Sequence, residues 1–79
     1  MHTLGEALKD IRGPKTVRDV AKLTGLSPAS ISAYETGARL PSRGALLSIL
    51  AHLEAPSVKG MHAIELRRQE LVARAERKA

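Results

Sequence analysis

The sequence predicts an all-α protein, with a compact headpiece of four short helices followed by one long C-terminal helix. Three observations carry that reading. Apolar residues recur at spacings of three and four, as one buried helix face requires. A hydroxyl residue stands before each of the first four apolar-periodic segments: Thr3, Thr16, Ser27 and Ser42, residue types that accept the free amides of a helix start. Glycine and proline punctuate the gaps at Gly13-Pro14, Gly25, Gly37, Pro41 and Ala55-Pro56. The last break divides the chain into a headpiece, residues 1–55, and a helix, residues 56–79.

The first helix is expected over Thr3–Arg12, with Leu4, Ala7, Leu8 and Ile11 on one side and Thr3 with Glu6 in the form of a capping box. Gly13-Pro14 ends it. Thr16 and Asp19 repeat the capping pattern ahead of a second helix, Val17–Thr24, whose buried side is expected to be Val20, Ala21 and Leu23 or Thr24. Gly25 then sits where a left-handed residue lets the chain turn sharply. Ser27 caps a third helix and Pro28 takes its first position, where a missing N–H costs nothing. Ile31 and Tyr34, with Leu26 just before the start, form its buried side; Gly37 closes it. Two helices joined by a tight glycine turn make a helix-turn-helix.

Ser42 caps the fourth helix, in which Leu46, Leu47, Ile49, Leu50 and Leu53 are expected to supply much of the core. Gly44 weakens its first turn by roughly 1 kcal/mol relative to alanine. The fifth helix should run over Val58–Lys78, about 30 Å at 1.5 Å per residue. Val58, Met61, Ile64, Leu71, Val72 and Ala75 fall on one stripe with Arg68 in its middle, near Glu65, as at a partly wet dimer or partner seam. Arg67, Glu70, Arg74 and Arg77 are expected on the far, solvated side. Leu66 falls off the stripe with no evident partner.

Ala21, Gly25, Leu26, Ser27, Ile31, Ser32, Tyr34, Glu35, Gly37 and Pro41, at their mutual spacing, resemble the helix-turn-helix of the lambda repressor and Cro type, the XRE family. The likeness runs from Leu4-Gly5-Glu6 to about Ala55 and leaves the last third of the chain outside it. It implies a lambda-repressor-like headpiece that lays the third helix, residues 27–35, in the major groove of DNA. Base contacts then fall to Pro28, Ala29, Ser30, Ser32 and Ala33, and backbone contacts to Lys15, Thr16, Val17, Arg18, Ser27, Arg39, Ser42 and Arg43. Family members commonly carry glutamine at the position of Val17, where its amide touches a phosphate and braces the recognition helix, a hydrogen bond that Val17 cannot donate. The loop before the second helix is about two residues shorter than usual. The resemblance also implies an internal ion pair between Glu35 and Arg12, and a core position for Tyr34.

Composition sets the remaining bounds. Seventy-nine residues fit one small domain, which buries only about 60% of its unfolded surface, so dimerisation would help it. Without cysteine there is neither a disulfide framework nor a thiolate metal site, and the chain suits the cytoplasm, in association with the nucleoid. The net charge of +5 favours a polyanion. A single aromatic residue argues against stacking on single-stranded nucleic acid and leaves duplex DNA open. Nothing is long and apolar enough to span a membrane. His2, His52 and His62 lack ligand spacing, and no histidine stands near Ser27, Ser30 or Ser32 to act as a base. No metal, no cofactor and no enzymatic activity are therefore expected.

The recognition positions contain no Arg, Lys, Asn or Gln, so bidentate readout from the third helix itself is absent. Discrimination should lean on thymine methyls, on DNA shape, and on Arg39 or Arg18 reaching a base from outside the helix. The expected function is a bacterial or phage transcriptional regulator of the Cro or repressor kind, binding a palindromic operator as a homodimer. The alternative is an antitoxin or adapter whose C-terminal helix docks on another protein.

Overall fold

Four hydroxyl caps start four helices. In the computed structural model, which describes residues 3–53 and 57–78 (Lys78 by its backbone alone), α1 spans Leu4–Arg12, α2 Val17–Thr24, α3 Pro28–Thr36, α4 Arg43–His52 and α5 Ser57–Lys78. There is no strand among the described residues. At α1 the Glu6 N–H donates to Thr3 Oγ1 and the Thr3 N–H to Glu6 Oε1, both at 3.2 Å. Thr16 and Asp19 exchange the same pair of bonds at α2, at 3.0 and 3.1 Å. Ser27 and Ser42 each accept an amide at 3.1 Å, from Ser30 and Ala45. Gly25 and Gly37 close α2 and α3 at φ +77° and +83°, a backbone that a Cβ penalises.

The core is Leu4, Leu8, Val20, Ala21, Ile31, Tyr34, Leu46, Ile49 and Ala63. Small residues allow close crossing at two places. Ala21 lies buried where α2 meets α3. Gly5 lies against the end of α3, where a Cβ would collide with the Glu35 carbonyl oxygen and stand 2.8 Å from its carbon.

One expected core residue, Leu47, turns outward, and of the two alternatives on α2 one is half-buried and the other exposed. Thr24, not Leu23, faces inward: its hydroxyl donates to the Val20 carbonyl at 2.8 Å and accepts the Leu26 N–H at 3.3 Å, tying the turn together. Leu23 is left 45% exposed. On α4, Leu46 and Ile49 fill the buried stripe with Leu50 and Leu53 beside it, which leaves Leu47 42% exposed.

The larger correction concerns α5. Its inner face is Gly60, Ala63, Leu66, Arg67, Glu70 and Arg74, at helical spacing. Ala63 is fully buried, and Leu66 packs against the core. Of the side read as solvated, Arg67, Glu70 and Arg74 face the headpiece, while Arg77 is exposed. Arg67 Nε donates to the Pro41 carbonyl at 2.9 Å and Arg74 Nη2 to the Gly37 carbonyl at 3.3 Å, while Glu70 Oε2 accepts the Leu4 N–H at 3.0 Å. The reason is steric. Ala63 is small enough to be fully buried where α5 meets the core, and the carboxylate and guanidinium groups then satisfy helix-end and loop groups that would otherwise lie unpaired. Lys59 adds an exposed ion pair to Asp10 at 3.0 Å. Val58, Met61, Ile64, Leu71 and Val72 are exposed. The expected break at Ala55-Pro56 lies outside the described residues, as does His2.

Candidate nucleic-acid interface

The helix-turn-helix is locked from behind by one side chain. Arg12, at the end of α1, donates from Nε to Glu35 Oε2 at 2.8 Å and from Nη2 to Oε1 at 3.1 Å, a two-pronged pair with the Glu35 side chain only 8% exposed. Its remaining prong, Nη1, donates to the Lys15 carbonyl at 2.6 Å. A planar guanidinium can hold a carboxylate and a carbonyl at once. So one residue fixes the end of α3 and the short α1–α2 loop together. The Glu35 hydrogen bond raises the Arg12 pKa above its ordinary value, with burial opposing.

In front, the first turn of α3 is open. Pro28, Ala29 and Ser32 are exposed, while Ser30 and Ala33 are half-buried. Lys15, Thr16, Arg18, Ser27, Arg39, Ser42 and Arg43 are all exposed. Among the described residues none of Lys15, Arg18, Lys22 or Arg43 is in an ion pair, whereas Arg12, Lys59 and Arg68 are. Val17 differs: its side chain packs against the core at the start of α2. The first amides of α2, α3 and α4 add partial positive charge where an anion would sit.

Three groupings follow from the packing. Arg18 and Lys22, one turn apart on α2, border a shallow hollow with Leu26 and Pro28 at the elbow of the motif. Arg39 folds toward α3, its Nη1 donating to Ser30 Oγ at 3.4 Å. Arg43 stands apart from both, beside a groove between α4 and α5 lined by Leu46, Leu47, Ile64, Arg67 and Arg68. On the outer face of α5, Arg68 is answered within the helix: Nη2 meets Glu65 Oε1 at 2.6 Å and Nε meets Oε2 at 3.0 Å. Sequence periodicity missed Lys22, whose place one turn after Arg18 on an exposed face was the signal that could have found it, and it missed the inward role of Arg67 and Arg74.

No helix among the described residues is long and apolar enough to cross a membrane, and none of their acidic or histidine side chains gather as a metal site would require. A short helix, a glycine turn and a second helix with an open first turn define a headpiece of the helix-turn-helix class. The chain belongs to the helix-turn-helix domain family, whose model matches residues 3–59, from the α1 cap into the first turn of α5. Comparison with curated proteins and with solved structures gave no match.

Proposed function

We propose that this protein is a sequence-specific double-stranded DNA-binding transcriptional regulator of the XRE type, Cro- or repressor-like and of bacterial or phage kind, with no enzymatic activity. The observation that carries this reading is the open first turn of α3, flanked by cations on α2 and in the α1–α2 loop that form no ion pair among the described residues. Phosphate contacts supply most of the affinity, from Lys15, Arg18, Lys22, Arg43 and the helix N-terminal amides. With about six phosphates neutralised, binding falls roughly 10³-fold between 50 and 200 mM salt. A headpiece this small gains specificity by pairing, so the protein acts as a homodimer on a palindrome with half-sites about one helical turn apart. The exposed stripe of α5 supplies the seam, with the Arg68–Glu65 pair neutralising the charge at its centre. Such a regulator works in the cytoplasm, on the nucleoid.

The same stripe favours a second reading, in which α5 docks on a different protein and the headpiece is an antitoxin or adapter. One experiment separates the two: selection from a randomised duplex pool at two salt concentrations, with the mass in solution measured alongside. Enrichment of a palindrome by a dimer supports the regulator. A monomer that enriches nothing refutes it and leaves the partner-protein reading.

A further inference from the structure

The inner face of α5 holds the loop that follows the recognition helix. Arg74 binds the Gly37 carbonyl and Arg67 the Pro41 carbonyl, so the two guanidinium groups grip the backbone two residues before and two residues after Arg39. Between those grips the Arg39 N–H donates to the Ala33 carbonyl at 3.2 Å, and the Pro41 ring is fully buried. The backbone of Arg39 is thereby fixed from both sides of the loop. Its side chain is directed onto α3, where it meets Ser30 Oγ.

That meeting has a specific chemistry. Ser27 Oγ accepts the Ser30 amide and donates its own proton to Ser30 Oγ at 2.8 Å. Ser30 Oγ thus accepts from both Ser27 and Arg39, and what it has left to offer is its O–H. Arg39 has donors only. The pair therefore presents donors alone, at the N-terminal turn of the helix that enters the groove. In the major groove guanine shows two acceptors side by side, N7 and O6, whereas adenine and cytosine each show an amino donor. The Arg39–Ser30 bond, 3.4 Å and exposed, uses Nη1 alone, so the other guanidinium donors stay open to an acceptor pair while Ser30 remains occupied.

We propose that Arg39, with Ser30, reads a guanine beside the recognition helix, and that Arg67 and Arg74 of α5 are positioning residues for that contact. The proposal rests on the duplex-reading function above and supplies the purine-reading group that α3 itself lacks. It also makes the C-terminal helix part of the specificity of the headpiece.

The test uses the full chain and two duplexes: the sequence enriched from the randomised pool, and the same sequence with its most strongly selected G·C pair changed to A·T. Arg39→Ala is expected to weaken binding to the first by about 5- to 150-fold and to leave the second nearly unchanged. Arg67→Ala with Arg74→Ala is expected to erode the same discrimination severalfold, and to add nothing once Arg39 is already alanine. Arg74→Ala alone, which removes one exposed contact, gives a smaller change of the same kind and guards against misfolding of the double variant.

Equal loss on both duplexes from Arg39→Ala would make it a phosphate contact and overturn the proposal. Loss on every sequence from the α5 variants, independent of Arg39, would make their role structural and overturn the positioning claim. Enrichment of a motif that is indifferent to Arg39 refutes this inference alone. Failure of the wild-type protein to enrich any motif refutes the DNA-reading function with it.

Discussion

Replacing Gly5 by alanine should destabilise the protein, although alanine is the better helix former. The added Cβ would overlap the Glu35 carbonyl oxygen and lie 2.8 Å from the Glu35 carbon and 3.0 Å from the Tyr34 oxygen. All three atoms are backbone, so no rotamer change relieves the contact. Only α1 and α3 moving apart by roughly 1 Å restores ordinary separations. Overpacking of this kind costs about 1–3 kcal/mol, and the rigid surroundings place it at the upper end. Helix propensity returns about 1 kcal/mol. The net loss is about 2 kcal/mol, which for a domain of this size lowers Tm by roughly 8–16 °C. Gly44 supplies the control: it lies exposed in the first turn of α4, and a methyl group added there would meet no heavy atom within 4 Å, so Gly44→Ala gains up to about 1 kcal/mol and raises Tm. Thermal unfolding followed by far-UV circular dichroism, at one protein concentration, measures both. If Gly5→Ala melts at or above the wild type, α1 does not cross the end of α3 this closely.

Further outcomes concern binding, assembly and pH. Arg43→Ala should weaken DNA binding nearly equally on all sequences and reduce the salt slope by about one, read from titrations at several salt concentrations; a loss confined to one operator would contradict a phosphate role. Leu71→Asp, on the exposed face of α5, should give a monomer by sedimentation with an intact headpiece and weak operator binding, and unchanged sedimentation would remove α5 as the seam. Asp19 is held below the usual aspartate pKa, first by the Thr16 backbone N–H and then by the Thr16 hydroxyl. A carboxylate whose folded pKa is depressed contributes stability above its unfolded pKa and loses it as pH falls through the folded value. Stability should therefore decline as pH drops below about 4, and Asp19→Asn should flatten that decline in Tm measured against pH.

What could be read in advance was local. The caps at Thr3, Thr16, Ser27 and Ser42 were legible because each depends on a side chain and an amide three residues on. The turns at Gly25 and Gly37 were legible for the same reason. The face of α5 that meets the headpiece was not, because periodicity finds the stripe of largest apolar residues, whereas the helix turns small and polar residues inward. Gly60 and Ala63 carry little hydrophobic signal, and Arg67, Glu70 and Arg74 read as solvent-facing until carbonyls from a distant loop stand opposite them. Leu23 lost its inward position to a hydroxyl that closes the turn, a competition that apolar spacing does not record. At the interface, the absence of Arg, Lys, Asn and Gln from the outward face of α3 was plain in the sequence. The direction of the Arg39 side chain was not, since it depends on a loop held by residues about thirty positions later.

The contacts from Arg67, Glu70 and Arg74 also make α5 a ruler. Latched to α1 and to the α3–α4 loop, a helix of 22 residues, about 33 Å long, cannot swing freely, so its axis keeps a set angle to α3. In a dimer joined along the outer stripe, the distance between the two recognition helices is then dictated by how the α5 helices register. Sliding them by one turn changes that distance by up to about 5.4 Å, against a base-pair step of about 3.4 Å. Operator spacing would be written into the seam, and small residue exchanges along Met61, Ile64 and Leu71 could retune which palindromes fit without touching a DNA contact.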